Sequence, residues 1–379
     1  KKRVFKKKKE KNKVNDIKKL EWEELEVLTE EIREFLIEKI SITGGHLAPN
    51  LGVVELTMAL HLSFNFPEDQ IVWDVGHQAY THKILTGRKT GFDELRKYGG
   101  MSGFPKRKES ECDSFDTGHS STSISAGFGL AKARDIMNQD HTIVSVIGDG
   151  SLTGGMAYEG LNDAAVSGEP MVVILNDNEM SIDRNVGGMS QHLARLRTAK
   201  GYFTLKRWFR KVTENLPGGQ YVFRFARKIK EMVKRSLLPS TIFENMGMTY
   251  LGPVDGHDVE QLTEVLRWAK EQDGPVLVHI NTLKGKGYRF AEEEPNRFHG
   301  VAPFDVLTGQ PKKASGESYS SVFGQALTEL ACEDERICAI TAAMVDGTGL
   351  TPFAKALPER FYDVGISEGQ AVAMAAGMA

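Results

Sequence analysis

Short apolar runs alternate with amphipathic segments along the middle of the chain. Four runs of mainly Ile, Val and Leu predict strands, at 71–75, 142–148, 171–177 and 275–282. Each run is nearly continuously apolar, which is typical of parallel strands that are covered on both faces. Segments 156–167 and 258–271 have the spacing of helices. The pattern predicts an α/β fold built on a doubly wound parallel sheet.

The two ends of the chain carry further helical patterns. Residues 16–40 place leucines and isoleucines on one side and glutamates opposite, with Asp16 as the candidate N-cap. Residues 320–333 predict another helix and 337–344 a strand, and "DVGISEGQ" places Glu368 just past a further strand. The chain stops inside the next helical pattern, so we expect a first domain that is complete and a second that is truncated.

Changes in composition suggest four parts. We expect a basic tail at 1–15, a first domain at 16–305, a linker at 306–319 and the incomplete second domain at 320–379. A segment at about 184–240 interrupts the first domain, and its portion from 205 is rich in Lys and Arg. We expect a mobile insertion there, because long irregular segments are often flexible. The alternative is a basic lid over an anionic site.

Composition and charge exclude several classes of protein. The 379 residues include 40% hydrophobic and 26% charged residues with a net charge of −3, so bulk electrostatics do not favour a nucleic-acid or membrane partner. Neither an apolar run of 18 residues nor a signal peptide is visible. The three cysteines form no CxxC pair, which fits a reducing compartment. We therefore expect a cytoplasmic protein.

The stretch "VSVIGDGSLTGG" (144–155) runs from a predicted strand into a glycine-rich turn with Asp149 at its tip. A dinucleotide fingerprint would need glycine where Thr153 stands, and no Gly-Lys-Ser/Thr follows as in a P-loop. Asp149 could simply cap the next helix. The other interpretation is that it holds a ligand.

Asn178 follows the next predicted strand along the chain, and Asp74 and Asn176 also fall at strand ends. Neighbouring parallel strands would bring Asp149 and Asn178 to the same edge of the sheet, where ligands bind in such folds. Carboxylate and amide oxygens suit Mg²⁺, which keeps phosphate oxygens in its coordination shell. Asp149 would then meet a phosphate through a metal ion.

This pair resembles the thiamine-diphosphate motif, in which Gly-Asp-Gly is followed after an interval by Asn. From about residue 15 to 379 the chain is similar to the 1-deoxy-D-xylulose-5-phosphate synthase family. The similarity is carried by "GGHLAPNLGVVEL" (44–56), "WDVGHQAYTHKILTGR" (73–88), "GHSSTSISAGFGLA" (118–131), "LGPVDGHD" (251–258) and "KGKGY" (284–288). The resemblance implies the thiamine-diphosphate-binding fold, with thiamine diphosphate and Mg²⁺ as cofactors.

The resemblance also assigns roles to single residues. The metal ligands would be Asp149, Asn178 and the carbonyl of Met180. The cofactor-binding residues would be His77, Gly118, His119, Ser120, Gly150, Ser151, Asn178, Tyr288 and Glu368, with Lys284 adding a positive charge. The catalytic residues would be Glu368, which contacts the aminopyrimidine ring, and His46, His119 and His299. We expect His82, His141, His192 and His257 to be structural.

The implied reaction condenses pyruvate with D-glyceraldehyde 3-phosphate to 1-deoxy-D-xylulose 5-phosphate and CO₂, in a homodimer. It would be the first step of non-mevalonate isoprenoid synthesis and would also feed thiamine and pyridoxal synthesis. One departure is that Gly369 and Gln370 follow Glu368, where the family pattern has Gln-His. Two alternatives stay open: a transketolase-like enzyme, and an inactive fragment that binds the cofactor.

Overall fold

The computed structural model describes residues 14–178, Leu193, 241–312 and 316–379. The expectations for the basic tail before residue 14, for Met180, for His192 and for the insertion at 184–240 apart from Leu193 lie outside the described residues.

Five parallel strands form the main sheet. They are β1 (Gln70–Trp73), β2 (Ile143–Gly148), β3 (Val172–Asp177), β4 (Thr249–Asp255) and β5 (Val276–Asn281). Their order across the sheet is β1-β2-β3-β5-β4, and all four neighbouring pairs are parallel. The four apolar runs thus form strands within two residues of their predicted bounds.

Strand β4 was not predicted from the apolar runs. It contains Gly252 and Pro253, only three of its seven residues are buried, and its pairing with β5 shifts register between Leu251 and Val254. Proline within a sheet is confined to edge strands and bulges because it cannot donate a ladder hydrogen bond. An irregular edge strand of this kind has neither a continuous apolar run nor a clean alternation.

Helices cover both faces of the sheet, as a doubly wound fold requires. On one face α1 (Val54–Ser63) and α2 (Val259–Lys270) pack against Val144, Val146, Ile174 and Val278. On the other, α3 (Ser123–Ile136) and α4 (Gly155–Ser167) pack against Ile143, Ile147, Val173 and Leu175. Alternate residues of each strand therefore enter separate cores, which is the physical reason for the continuous apolar runs.

The predicted N-terminal helix begins later than expected. Asp16 lies in a short 3₁₀ turn (Asp16–Lys19), and helix α5 extends over Trp22–Thr43. Its N-cap is Glu21, whose side chain forms a capping box with Glu24. The expectation that Asp16 caps this helix was wrong, because Leu20 is extended and separates the two elements.

The second unit contains α6 (Tyr319–Glu333), β6 (Ala339–Thr341), α7 (Thr351–Ala356), β7 (Phe361–Asp363) and α8 (Glu368–Met378). Its two strands pair in parallel. A small core of Ala331, Ala339, Leu350 and Phe353 holds it together. In the part of the chain that the structure describes, no helix has the length and apolar character needed to cross a bilayer.

Candidate functional site

A cavity of about 240 Å³ opens at the carboxyl ends of β1, β2 and β3. Gly148 pairs with Asn176, so Asp149 and Asn178, which follow them, reach the same edge of the sheet. Both line the cavity. Other lining residues that the sequence singled out are His46, His77, Gly118, His119, Ser120, Gly150, Ser151, Lys284, His299 and Glu368.

Asp149 begins the turn that leaves β2. Its backbone N–H donates to the Asn176 carbonyl over 3.1 Å, and its side chain is almost wholly buried. Helix α4 begins at Gly155 with Gly154 as its N-cap, and no side chain caps it. The interpretation of Asp149 as a helix cap was therefore wrong, and its carboxylate faces the cavity instead.

Asp149 has a second carboxylate beside it. Burial, together with the negative charge and hydrogen bond of Asp177, raises the pKa of Asp149 well above its usual range. Two buried carboxylates in contact are stabilised when one is protonated or when a cation binds between or beside them. The site therefore favours a cation near Asp149.

A buried hydrogen-bonded chain orients Asp177 from behind. His279 Nε2 lies 2.8 Å from Asp177 Oδ2, and the Tyr250 hydroxyl lies 2.7 Å from His279 Nδ1. Burial raises the pKa of Tyr250, so its hydroxyl keeps its proton and donates to Nδ1. His279 then donates from Nε2 to Asp177. This chain fixes the rotamer of the carboxylate next to Asp149.

The loop 118–122, before helix α3, forms the next wall. Asp74, at the end of β1, accepts the backbone N–H groups of Ser121 over 2.9 Å and Ser123 over 3.1 Å. Ser121 has a φ of 67°, a conformation that non-glycine residues adopt only when their surroundings hold them there. Its hydroxyl donates to the Ser151 carbonyl over 2.7 Å, which joins this loop to the Asp149 turn.

Three histidine rings form a cluster on the opposite wall. The ring centroids of His46 and His77 are 5.4 Å apart, those of His77 and His299 5.0 Å, and those of His46 and His299 5.9 Å. Burial lowers the pKa of His46 to about 4 and that of His299 to about 3, and it holds the pKa of His77 well below the ordinary value. All three rings are therefore neutral near pH 7, each with one nitrogen that donates and one that accepts.

Lys284 supplies a positive charge to this wall. It is buried, and among the described residues that line the cavity it is the only lysine or arginine. Burial is the main cause of the lowered pKa of His299, and the positive charge of Lys284 lowers this pKa further.

Glu368 brings the second unit to the cavity. It begins α8, and its Oε1 lies 3.8 Å from His119 Nε2. Both side chains are well exposed to solvent in the chain as described. Ala342, Met344 and Ile366 also line the cavity from the second unit.

Two residues predicted to bind the metal or the cofactor are not among the described residues that line the cavity. Met180 lies outside the described residues. Tyr288 does not line the cavity, because its hydroxyl donates to the Val306 carbonyl over 2.9 Å and its ring packs against Phe298 and Phe304. Positive φ angles at Gly285 and Gly287 turn the chain so that Lys284 faces the cavity and Tyr288 enters the core. We withdraw Tyr288 from the cofactor-binding set.

Sequence reasoning gave no role to Asp177, Gln78 or Phe104, although the first contacts Asp149 and the other two line the cavity. Gln78 accepts from Asn176 Nδ2 over 3.2 Å, and Thr282 donates to Asn176 Oδ1 over 2.7 Å. The position of Asp177 at a strand end was a usable signal. Phe104 carried none, because it lies in an irregular loop.

The donor set fits thiamine diphosphate with Mg²⁺. Asp149 and Asn178 offer hard oxygens next to backbone groups of the Gly150–Ser151 turn, as a magnesium–phosphate site requires. Within the described structure, His77 Nδ1, His299 Nδ1 and Ser120 Oγ are buried without a hydrogen-bond partner. Buried polar atoms are normally paired, so a polar ligand in the cavity would satisfy them.

Comparison with known proteins agrees with this chemistry. A family model described as 1-deoxy-D-xylulose-5-phosphate synthase matches residues 9–282, and a second, described as the pyrimidine binding domain of transketolase, matches 316–379. The chain is 55% identical over 370 residues to the 1-deoxy-D-xylulose-5-phosphate synthase of Alkaliphilus oremlandii. It is 54% identical over 371 residues to that of Natranaerobius thermophilus. Both alignments cover 97% of this chain and 59% of the relative.

Solved transketolases share the fold. The enzyme from Campylobacter jejuni superposes with a TM-score of 0.54 at 16% identity, covering 92% of this chain and 62% of that one. The enzyme from Leishmania mexicana gives 0.52 at 15% identity, with 90% and 60% covered. Both synthases and transketolases use thiamine diphosphate with a divalent metal, commonly Mg²⁺. The family model that covers most of the chain and the identity to the synthases together show that the chain belongs to the 1-deoxy-D-xylulose-5-phosphate synthase family.

Proposed function

We propose that this chain forms the thiamine-diphosphate and Mg²⁺ site of a 1-deoxy-D-xylulose-5-phosphate synthase. The enzyme condenses pyruvate with D-glyceraldehyde 3-phosphate, forming one carbon–carbon bond and releasing CO₂. The observation that carries the proposal is the convergence of Asp149, Asn178, the neutral histidine cluster and Glu368 on one cavity. Because the chain spans about 59% of its synthase relatives, the activity of the whole enzyme is part of the proposal.

The metal and the diphosphate would bind at the strand ends. Asp149 and Asn178 would hold Mg²⁺, with the Met180 carbonyl proposed as a third ligand from the sequence motif. Gly150, Ser151, Gly118, Ser120 and His77 would donate to the diphosphate. When bound, thiamine diphosphate supplies the nucleophilic carbon that accepts the pyruvate-derived unit.

The remaining residues hold or move protons. Glu368 would hydrogen-bond the aminopyrimidine ring, and its Oε1 lies 3.8 Å from His119 Nε2. His46 and His299 are neutral, so each can accept a proton at one ring nitrogen and donate from the other. Burial of these rings limits exchange of their protons with bulk water.

Transketolase activity is the second candidate. It shares the fold and cofactor, and a transketolase model matches residues 316–379. Synthases at 55% identity favour decarboxylative chemistry, whereas transketolases at 16% identity support the fold alone.

A product assay separates these candidates. Purified protein is supplied with pyruvate, D-glyceraldehyde 3-phosphate, thiamine diphosphate and Mg²⁺, and products are identified by mass spectrometry. We expect CO₂ release and 1-deoxy-D-xylulose 5-phosphate. Turnover of ketose phosphates without pyruvate would contradict the proposal. Absence of turnover in a chain that still binds the cofactor would support the alternative of an inactive cofactor-binding fragment.

We also propose a homodimer in the cytoplasm. The dimer is supported by the exposure of large apolar residues in the second unit, among them Val322, Phe323 and Val372. Contact with another protein surface would bury these side chains. Analytical ultracentrifugation tests the dimer, and fractionation of cells tests the location.

A further inference from the structure

A buried cluster of charged and polar side chains lies behind the cavity wall that carries Lys284. We propose that His257, through this cluster, is a positioning residue that fixes the turn Leu283–Gly287 and thereby presents Lys284 to an oxyanion bound in the cavity. The inference rests on the proposed function for the identity of the oxyanion.

Glu55 is the centre of the cluster. Its carboxylate lies 2.5 Å from Arg33 Nη2, 3.2 Å from His257 Nδ1 and 3.4 Å from Lys286 Nζ. Burial alone would raise the pKa of Glu55, but hydrogen bonds from His257 and Arg33 outweigh it and lower that pKa to about 2. Glu55 is therefore a fixed anion at neutral pH.

The hydrogen bonds of His257 define its tautomer. The Leu283 backbone N–H donates to His257 Nε2 over 2.8 Å, so Nε2 is an acceptor without a proton. The ring proton is then on Nδ1 and is donated to Glu55. His257 thus joins the anion in α1 to the first residue of the turn.

Other contacts define the path of the turn. The Gly285 N–H donates to the Ala48 carbonyl over 2.9 Å, and Gly285 and Gly287 have φ angles of 86° and 84°. A Cβ on Gly287 would lie 2.8 Å from Arg33 Cδ, so the turn packs directly on the cluster. With Leu283 held by His257 and Lys286 by Glu55, the intervening Lys284 faces the cavity.

Two substitutions separate the two bonds of His257. An Asn amide can take the place of Nδ1 and donate to Glu55, but it cannot reach the Leu283 N–H. A Gln amide can take the place of Nε2 and accept from Leu283. If His257 acts by holding the turn, the turn 283–287 should stay fixed in His257→Gln and become mobile in His257→Asn. A general loss of packing would affect both variants.

Hydrogen exchange tests the positioning without any ligand. In His257→Asn we expect the Leu283 amide to exchange about tenfold faster or more, with smaller changes in His257→Gln. Unchanged exchange at residues 283–287 in His257→Asn would overturn the inference, whatever the enzyme's activity.

Calorimetric titrations connect the turn to the ligand. Thiamine diphosphate with Mg²⁺, and pyruvate added to the loaded protein, are two sources of an oxyanion. We expect Lys284→Gln to raise the Kd of one of these two ligands about tenfold. His257→Asn should raise the same Kd in the unmodified protein but should have no further effect in the Lys284→Gln variant. Fully additive effects, or no change in either Kd with Lys284→Gln, would refute the role of His257. Failure of the unmodified protein to bind thiamine diphosphate would contradict the proposed function, while the exchange experiment would still decide the positioning.

Discussion

At the residue scale, Asp149 shows how a turn that we propose binds phosphate can carry a negative charge. Its carboxylate is buried beside Asp177, an arrangement that opposes ionisation until a cation binds. The sequence motif located this residue and its partner Asn178. The motif did not identify the second carboxylate, because the Asp177–Asp149 contact depends on how neighbouring strands align rather than on spacing along the chain.

The raised pKa of Asp149 predicts how metal binding depends on pH. The carboxylate must lose its proton to bind a metal, so affinity should fall with decreasing pH, and at a higher pH than for an ordinary aspartate. Mn²⁺ affinity measured by electron paramagnetic resonance between pH 4.5 and 8 checks this. The range begins above the usual aspartate pKa of about 3.9, where an ordinary aspartate is already largely ionised.

Asp177→Asn is the matched variant for that measurement. It removes the neighbouring charge but keeps an oxygen that can accept from His279, so the loss of affinity should move to lower pH. A profile that is unchanged in this variant would contradict the contribution that Asp177 makes, beside burial, to the raised pKa of Asp149.

The histidine cluster gives a second prediction at this scale. His46 and His299 should stay neutral until the pH approaches about 4 and about 3, respectively, because protonation would place a charge in a buried site near Lys284 or Arg96. Nitrogen-15 NMR of the histidine side chains across this range measures the midpoints. Midpoints near 6.5 would show that the rings are more solvated than the structure implies.

At the scale of elements, the site depends on loops that strand ends hold in place. Asp74 accepts two backbone N–H groups at the start of α3 and so fixes the loop that contains Gly118 and Ser120. Asp74→Ala would leave two buried donors unpaired, at a cost of about 1–3 kcal/mol each. We expect a lower melting temperature and weaker binding of thiamine diphosphate.

Asp74→Asn serves as the comparison for this loop. Its amide keeps one acceptor oxygen but turns an NH₂ group towards the other backbone donor, so its stability should lie between those of the unmodified protein and Asp74→Ala. Differential scanning fluorimetry and calorimetry measure both properties. Full affinity in Asp74→Ala would show that the loop does not contribute to the cofactor site.

Elements also mark where sequence-based prediction stops. The continuous apolar runs of β2, β3 and β5 predicted these strands correctly, because parallel strands that are buried on both faces are apolar along their whole length. Strand β4 was missed because its glycine and proline belong to an irregular edge. Tyr288 was assigned to the pocket through its motif, but two glycines with positive φ direct it into an aromatic core.

At the scale of the whole molecule, two units meet at the cavity. The first unit provides the sheet edge and the histidine cluster, and the second provides Glu368, Met344 and Ile366. No local pattern predicts this meeting, because Glu368 and Asp149 are far apart in the chain. Family resemblance supplied the expectation, and the structure brings both residues to one cavity.

The central claim is that Asp149 holds a metal ion that binds the diphosphate of the cofactor. Isothermal titration of the unmodified protein, Asp149→Ala and Asp163→Ala with thiamine diphosphate, with and without Mg²⁺, tests it most directly. Asp163 lies on the exposed side of α4 and is the matched control. The account predicts Mg²⁺-dependent binding that is lost in Asp149→Ala and retained in Asp163→Ala; equal affinity in Asp149→Ala and the unmodified protein would contradict it.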